Sequence, residues 1–266
     1  MIKIIHQVSK NGLISPELIH YVDSVKKHHS DWEYILWSDD NDKLIKEEYY
    51  FIWDNYKKVK GIQKADIARY CILHKYGGLY IDTDMLFYKN IEPLIYNKTD
   101  IILAPSIPTL PGFKNTVTNY IIYCGKKNNP FWIILLKEIN ERLKICDNWW
   151  YNLSILNPII IPYSTGRVVL SKFINKNYFT SFDCNLVVDK FSPYNNFNTY
   201  GVYCVHEGGT VRNNGKSWGN CLEYYFVKNE FKIRRLLNIK QDICQVPLFT
   251  ILLIIFILIM FFIYQV

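Results

Sequence analysis

The sequence predicts an α/β fold, a sandwich of helices around a mostly parallel sheet. Short apolar segments with strand character alternate with segments whose apolar residues recur at helical spacing. The chain has 266 residues, 50% of them hydrophobic, which is enough for one sizeable domain. Its formal charge of +7 fits an anionic ligand or an anionic membrane surface. No basic run interleaved with aromatic residues is dense enough to predict nucleic-acid binding.

The cysteines of the chain predict neither a zinc site nor a disulfide framework. The sequence contains seven of them, at positions 71, 124, 146, 184, 204, 221 and 244, and none forms a C-x-x-C pair. Zinc sites and disulfide-stapled domains both need regular cysteine spacing, which is missing here. An odd count suits a reducing compartment.

The first part of the chain alternates strands and helices. Residues 1–8 predict a short strand, and residues 15–29 predict an amphipathic helix that Ser15 can cap. Residues 32–37 alternate apolar and polar side chains, as expected of a second strand. Residues 44–56 predict a second helix with exposed charge.

Residues 64–87 hold the stretch around which the chain is organised. Apolar residues recur at helical spacing up to Tyr76, and two glycines then end the helix, since glycine enters the left-handed cap conformation without strain. Residues 79–81 form a short apolar segment suited to a buried strand. If the chain stays extended beyond it, Asp82 and Asp84 point to the same side, because residues two apart in a strand share a face.

The acidic pair predicts a cation site. Carboxylates as close as Asp82 and Asp84 repel each other unless a cation neutralises them, and a hard divalent cation prefers oxygen ligands. Asp66 and Arg69 lie three residues apart on the preceding helix, so they share a face. They form either an intrahelical ion pair of little consequence or part of the same site. A bare D-x-D also occurs in solvated loops, so the buried strand before it gives the motif its weight.

The second part of the chain continues the alternation less regularly. The predicted elements are a turn at 90–94, strands at 100–104 and 119–123, a proline-rich loop at 105–111, helices at 130–146 and 168–174, and strands at 182–188 and 201–205. His206 ends the last of these strands and a glycine-rich loop follows it. A histidine at a strand end is often structural, but a neutral imidazole is also a good Mn²⁺ ligand.

The C-terminal part of the sequence predicts a membrane anchor. Residues 246–264 are almost purely apolar and carry no charge, and a helix of about 19 residues spans roughly 28 Å. Lysine and arginine cluster before it, so the positive-inside rule predicts a cytosolic catalytic domain. We predict a catalytic domain at 1–227, a basic juxtamembrane segment at 228–245 and a transmembrane tail anchor at 246–264. The alternative is a buried core helix or a hydrophobic tail.

The central stretch resembles a known family. The order A-D-x-x-R-Y, Y-G-G-x-Y and D-x-D over residues 65–84 is similar to the signature of the DXD-containing sugar-binding glycosyltransferases, glycosyltransferase family 32. That family includes Golgi and sphingolipid mannosyltransferases and is distantly related to the clostridial glucosylating toxins. Further similarity runs from the first residues to about Trp218. The resemblance implies a GT-A fold whose donor site lies at the strand ends, and transfer of a sugar from a nucleotide-diphosphate sugar to a hydroxyl.

The resemblance also implies roles for individual residues. Asp84 and His206 would bind the metal, and Asp82 would contact the ribose or bridge to the metal. Asp66 and Arg69 would hold the hydroxyls of the donor sugar, so that the catalytic candidates are Asp66, Arg69, Asp82 and Asp84. The candidates for binding the rest of the donor are His6, Gln7, Asn119, Gly166, Ser217 and Trp218.

We therefore predict a membrane-anchored glycosyltransferase that uses a divalent cation, with Mn²⁺ favoured over Mg²⁺. It would move a hexose or N-acetylhexosamine from a UDP- or GDP-sugar to a glycan, lipid or protein hydroxyl, with retention by attack on the same face. One alternative is a metal-dependent phosphohydrolase that uses Asp82 and Asp84 and turns over without a sugar acceptor. The other is a tail-anchored nucleotide-sugar-binding protein without turnover, in which Asp84→Ala changes nothing measurable.

Overall fold

A computed structural model describes residues 1–38, 40–98, 100–106, 116–148, 151, 157–173, 179–182, 186–189 and 202–207. Within these ranges two sheets and several helices form a mixed α/β arrangement. The strands are β1 (Ile4–Val8), β2 (Glu33–Trp37), β3 (Gly78–Ile81), β4 (Met85–Phe87), β5 (Ile101–Ser106), β6 (Thr116–Cys124), β7 (Phe179–Ser181), β8 (Val187–Asp189) and β9 (Cys204–His206).

The larger sheet has six strands in the order β2-β1-β3-β6-β5-β7. β1 pairs in parallel with both β2 and β3, and β5 pairs in parallel with β7. β6 is antiparallel to both of its neighbours, so the other five strands of this sheet run in one direction. The predicted α/β class with a mostly parallel sheet is therefore confirmed.

The smaller sheet has three strands in the order β4-β9-β8. β9 pairs antiparallel with β4 and parallel with β8. Only three residues, 82–84, separate the end of β3 in the large sheet from the start of β4 in the small one. The acidic pair therefore lies where the chain passes from one sheet to the other.

Eight helices occur in the described ranges, with three short 3₁₀ turns at Lys10–Gly12, Pro16–Leu18 and Leu143–Asp147. They are α1 (Ile19–His28), α2 (Asp40–Glu48), α3 (Tyr50–Lys58), α4 (Gly61–Tyr76), α5 (Glu92–Ile95), α6 (Pro130–Arg142), α7 (Asn157–Ser164) and α8 (Arg167–Ser171). The central one is α4, which packs against α2, α6, α7 and strands β1 and β3. It buries nine residues, including Asp66 and Arg69.

Two glycines make the tight passage from α4 into β3. Gly77 and Gly78 have φ values of +63° and +90°, a conformation that side chains with a Cβ rarely adopt. A Cβ on Gly78 would lie 2.6 Å from the carbonyl oxygen of Ile4 in β1. Glycine therefore lets β3 approach β1 closely, and the predicted end of the helix is confirmed.

Tertiary contacts changed one predicted helix. The segment at 44–56 is two helices, α2 and α3, because Tyr49 between them has non-helical backbone angles of φ −125° and ψ 41°. Its side chain is buried, and its hydroxyl donates to the carbonyl of Cys71 and lies 2.8 Å from Nδ1 of His74. Packing against α4 thus outweighs the helical tendency of the segment.

Several other predicted bounds were also wrong. The strand predicted at 182–188 is replaced by β7 and β8, which belong to different sheets. The turn predicted at 90–94 contains the short helix α5, and the helix predicted at 130–146 ends at Arg142 before a 3₁₀ turn. Ser15 makes no side-chain cap bond, and α1 begins only at Ile19, after a 3₁₀ turn.

The C-terminal predictions lie outside the described residues. This applies to the juxtamembrane segment at 228–245 and to the transmembrane anchor at 246–264. A search of the described residues alone finds no helix that is long and apolar enough to cross a membrane.

Candidate active site

Three potential metal ligands converge where β3 ends. The ligand atoms of Asp82, Asp84 and His206 all lie within 4.8 Å of one another. Asp84 lies in a turn that begins directly after Asp82, so the expectation of an extended segment was wrong although the two carboxylates do converge. His206 is the last residue of β9, which pairs with β4 in a register that places it opposite Met85. Its Nε2 atom lies 3.4 Å from Oδ1 of Asp84.

Behind this turn, Asp66 and Arg69 form a buried ion pair. Nη2 of Arg69 lies 3.1 Å from Oδ1 of Asp66 and 3.3 Å from Oδ1 of Asp82, so one guanidinium serves both carboxylates. The side chains of Arg69 and Asp66 are only 2% and 4% exposed. The pair is therefore not a surface ion pair of little consequence. Because both side chains are buried, removing either partner would leave an uncompensated buried charge.

Asp66 is hydrogen-bonded through both carboxylate oxygens. Nδ2 of Asn119 donates to Oδ1, and Oγ1 of Thr165 donates to Oδ2, both at 2.8 Å. Nη1 of Arg69 donates to the main-chain carbonyl of Asn119. Burial raises the pKa of Asp66 to about 6, although the charge of Arg69 and these hydrogen bonds act in the opposite direction. Asn119 itself is partly exposed, so it lies between the buried pair and solvent.

Asp82 is held by three neighbouring strands. The hydroxyl of Tyr80 donates to its Oδ1 at 3.0 Å. Its main-chain N–H donates to the carbonyl of Tyr120 at 2.8 Å. Nε2 of Gln7 donates to its carbonyl at 3.1 Å. Because β1, β3 and β6 each supply a contact, the start of the turn is fixed on the sheet.

The donor set fits a divalent cation. Burial raises the pKa of Asp82, and the neighbouring Asp84 raises it further, whereas Arg69 and His206 lower it. The protein therefore disfavours the second negative charge at this point, and a cation would relieve that cost. Two carboxylates with one imidazole are ligands that Mn²⁺ accepts well.

The contacts of His6 favour a structural role over donor binding. His6 is fully buried, and Nε1 of Trp37 donates to its Nδ1 at 3.1 Å. Its Nε2 must then carry the proton and donate to the carbonyl of Gly77, 2.9 Å away. Burial lowers the pKa of His6 to about 4, so the ring is neutral. Gln7 is also fully buried, and its Oε1 accepts from the hydroxyl of Tyr34 at 2.6 Å.

The remaining donor-binding candidates are only partly described. Gly166 is buried, and its N–H donates to the carbonyl of Ile161 at 3.0 Å. A Cβ at this position would lie 3.6 Å from Oδ2 of Asp66, so Gly166 sits against the buried ion pair. Ser217 and Trp218 lie outside the described residues.

Sequence reasoning missed the polar and aromatic residues that support the site. Tyr80 has a signal, because it lies near the end of β3, only two residues before Asp82, and can reach its carboxylate. Thr165 directly precedes the candidate Gly166 in the sequence, so it too could have been considered. Tyr120 has no such signal, since only the fold brings it to His206.

The fold and the site define an α/β protein with three side chains suited to a divalent cation at the end of a sheet strand. Residues 15–102 match the family described as glycosyltransferase sugar-binding region containing DXD motif. This part of the chain is therefore similar to the sugar-binding region of these glycosyltransferases. The match confirms the family resemblance that the sequence predicted, and it agrees with the predicted glycosyltransferase class.

Curated relatives include two yeast enzymes. The chain is 32% identical over 176 residues to mannosyl phosphorylinositol ceramide synthase CSH1 of Saccharomyces cerevisiae, covering 64% of this chain and 41% of the relative. It is 30% identical over 172 residues to inositol phosphoceramide mannosyltransferase 3 of Schizosaccharomyces pombe, covering 64% and 43%. The chain thus spans about two fifths of the length of these relatives. A viral relative, uncharacterized glycosyltransferase L373 of Acanthamoeba polyphaga mimivirus, is 28% identical, covering 72% of this chain and 76% of the relative.

Solved structures with a similar arrangement include the PaToxG glycosyltransferase. It aligns with a TM-score of 0.48 and 17% identity, covering 66% of this chain and 70% of that one. The galactosyltransferase LgtC, in complex with donor and acceptor sugar analogues, aligns with a TM-score of 0.44 and 11% identity, covering 76% and 86%.

Proposed function

We propose that this chain transfers a hexose or N-acetylhexosamine from a UDP- or GDP-sugar to a hydroxyl group of an acceptor. One observation carries the proposal: Asp82, Asp84 and His206 converge within 4.8 Å at a strand end. They lie beside the buried pair of Asp66 and Arg69, and all but His206 fall in the part of the chain that matches the glycosyltransferase family.

Asp82, Asp84 and His206 would hold the divalent cation, and the imidazole favours Mn²⁺ over Mg²⁺. When bound, the cation would neutralise charge that develops on the departing nucleoside diphosphate. The contacts of Tyr80, with those of the neighbouring strands, fix Asp82 in place before any ligand arrives. Such a preformed arrangement reduces the cost of organising the site during the reaction.

Asp66 and Arg69 would orient the hydroxyls of the donor sugar. Each carboxylate oxygen of Asp66 accepts one hydrogen bond from a protein side chain, from Asn119 or from Thr165. Because a carboxylate has about four lone-pair sites, Asp66 could accept a further hydrogen bond from a sugar hydroxyl. The charge of Arg69 would also oppose the effect of burial, which raises the pKa of Asp82. The partly exposed Asn119 would contact the donor beside them. The other residues proposed to line the donor site are Gly166, Ser217 and Trp218. His6 and Gln7, the two remaining candidates, are fully buried, and we propose that they support the site through strand β1 and do not contact the donor.

The bond changes follow from the donor chemistry. The acceptor hydroxyl forms a bond to the anomeric carbon, and the bond from that carbon to the diphosphate oxygen breaks with its electron pair. The acceptor proton leaves with the diphosphate. We propose retention, which the family resemblance implies. Attack on the same face is the proposed route, because the sequence offers no dedicated carboxylate nucleophile beyond the residues assigned above.

The domain arrangement is proposed from sequence and resemblance. A GT-A catalytic domain would occupy residues 1–227, a basic juxtamembrane segment 228–245 and a membrane-spanning tail 246–264, with the catalytic domain in the cytosol. A mannosyl donor and an inositol-phosphate lipid acceptor are the first substrates to test, because the names of two yeast relatives contain them.

The test is donor cleavage by the full chain in detergent micelles. Free UDP or GDP is measured with Mn²⁺ and a panel of UDP- and GDP-sugars, GDP-mannose first, with and without an inositol-phosphate lipid. We expect release from one donor that increases with the acceptor and is abolished by chelation and by Asp84→Asn. Asp54→Asn is the matched control, because the side chain of Asp54 is 87% exposed and forms a surface ion pair with Lys57.

The same experiment separates the alternatives. Full-rate release without any acceptor, and no glycosylated product with one, would favour the phosphohydrolase. Donor binding in calorimetry without release under any condition would favour a binding protein. Failure of the chain to bind any donor would overturn the proposal.

A further inference from the structure

The ring of Tyr120 lies flat against the imidazole of His206. We infer that Tyr120 is a positioning residue that holds this imidazole in the orientation a cation requires. The inference rests on the proposed metal site and extends it to a residue outside the acidic motif. Neither the spacing of the motif nor the resemblance to the family points to Tyr120.

The stacking geometry fixes the plane of the His206 ring. The two ring centroids are 4.2 Å apart and the interplanar angle is 12°. A histidine binds a metal through a lone pair that lies in the plane of its ring, so the tilt of the ring decides where that lone pair points. With the ring flat on Tyr120, Nε2 of His206 faces Asp84, 3.4 Å from its Oδ1.

The main chain of Tyr120 holds the opposite side of the same cluster. Its carbonyl accepts the N–H of Asp82 at 2.8 Å, continuing the antiparallel pairing in which Ile81 lies opposite Ile121. Its own N–H donates to Oγ1 of Thr118 at 3.1 Å. Tyr120 is 5% exposed, so its position is set by the surrounding core.

Tyr120 therefore connects ligands that come from different sheets. Asp82 follows β3 of the large sheet, whereas His206 ends β9 of the small sheet. β6 places one residue between them, which touches one ligand through its main chain and the other through its ring. Ligands that are ordered before binding lose less conformational freedom when the cation arrives, and partners behind the ligands commonly change metal affinity.

Two variants separate the ring from the rest of the residue. Tyr120→Phe keeps the stacked ring and both main-chain hydrogen bonds, whereas Tyr120→Leu keeps only the main-chain bonds. Mn²⁺ affinity of the full chain in detergent is measured by EPR titration, with thermal unfolding as the check on folding. We expect Tyr120→Leu to weaken Mn²⁺ binding about tenfold and Tyr120→Phe to stay within about twofold of the wild type. If Tyr120→Leu does not fold, Tyr120→Met, which also lacks a ring, replaces it.

A spectroscopic signature tests the role directly. Pulsed EPR detects echo modulation from an imidazole nitrogen bound to Mn²⁺, and His206→Asn provides the reference without that nitrogen. We expect the modulation in the wild type and in Tyr120→Phe, and a weaker one in Tyr120→Leu at saturating Mn²⁺. Equal Mn²⁺ affinity and equal echo modulation in the wild type, Tyr120→Phe and Tyr120→Leu would overturn the inference about Tyr120. The proposed metal site would not be affected by that result. Absence of Mn²⁺ binding by the wild type would overturn the metal site itself.

Discussion

Two clusters of charged side chains lie next to each other at the end of β3. They differ in their exposure to solvent and in how many of their polar atoms are hydrogen-bonded to protein groups. The side chains of Asp66 and Arg69 are 4% and 2% exposed, and protein groups bond to both oxygens of Asp66. The side chains of Asp82, Asp84 and His206 are 30%, 18% and 13% exposed. The first cluster is therefore a support whose polar groups are largely satisfied by the protein and which can meet a donor sugar only at its small exposed fraction. The second is the accessible cluster, which a ligand can reach from solvent.

Strand β6 contacts both clusters through two neighbouring residues. Asn119 contacts Asp66 and Arg69, whereas the next residue, Tyr120, contacts Asp82 and His206. Successive residues of a strand point to opposite faces, so one strand can serve both clusters at once. If the comparison is right, variants of the support should act mainly on stability, and variants of the accessible cluster should act mainly on metal binding.

The largest effect on stability is expected for Arg69→Gln. This variant leaves Asp66 and Asp82 without their shared cation, and breaking a buried ion pair costs about 3–5 kcal/mol. We expect the Tm to fall by roughly 6–20 °C. Lys57→Gln is the control, because Lys57 pairs with Asp54 on the surface and the loss should stay within about 0.5 kcal/mol. Equal losses in both variants would contradict the distinction between support and surface.

A second effect depends on pH. Asp66 has a pKa of about 6 in the folded chain against an ordinary value of 3.8, so it holds its proton more tightly when folded. It therefore contributes stability that is complete below about pH 4 and is lost as the pH rises through about 6. The free energy of unfolding of the wild type minus that of Asp66→Asn should fall by about 3 kcal/mol over this window.

Chemical denaturation with chelator present measures this difference. Asp54→Asn gives a control of opposite sign, because the hydrogen bond from Lys57 lowers the pKa of the exposed Asp54. Its contribution to stability is present at neutral pH and is lost as the pH falls. If the difference in unfolding free energy between the wild type and Asp66→Asn does not change with pH, folding does not raise the pKa of Asp66.

A third effect concerns the accessible cluster. A cation that binds only the folded chain stabilises it by about 2.7 kcal/mol at a concentration 100 times its Kd. We expect Mn²⁺ to raise the Tm of the wild type and of Asp54→Asn, but not that of Asp84→Asn. Thermal unfolding with Mn²⁺ and with chelator measures this. Stabilisation of Asp84→Asn equal to that of the wild type would place the cation elsewhere.

The support and the accessible cluster were not equally predictable from sequence. The helix, the two glycines, the strand and the acidic pair are neighbours in the chain, so local spacing predicted them. Asp66 and Arg69 lie on the same helix, and spacing placed them on one face. Their link to Asp82 through one guanidinium depends on how α4 packs on β3, which local spacing does not contain.

His206 and Tyr120 show where sequence reasoning ends. His206 reaches Asp84 because β9 pairs with β4 across more than a hundred residues of chain, and only the family resemblance anticipated this. Tyr120 was predicted merely as part of a strand. The break at Tyr49 has the same origin, since a buried hydroxyl bonded to α4 decided the backbone there. Long-range pairing and packing, rather than local tendency, set these positions.

The smallest effect is expected for Tyr34→Phe, which tests the hydrogen bonds that hold the main chain of Asp82. The hydroxyl of Tyr34 donates to Oε1 of the buried Gln7, whose Nε2 in turn donates to the carbonyl of Asp82. Loss of the donor leaves a buried acceptor unsatisfied, at a cost of about 1–2 kcal/mol, and should lower the Tm by a few degrees. Tyr50→Phe is the matched control, because Tyr50 is 77% exposed and should show no measurable change.

Thermal unfolding and Mn²⁺ titration together decide what this chain of hydrogen bonds does. Because Gln7 touches the main chain of Asp82 and not its carboxylate, the Mn²⁺ affinity of Tyr34→Phe should change much less than its stability. A variant with wild-type Tm but weakened Mn²⁺ binding would reverse the assignment. Gln7 would then act on metal binding, like the residues of the accessible cluster, although its contact is with the main chain of Asp82 and not with the carboxylate.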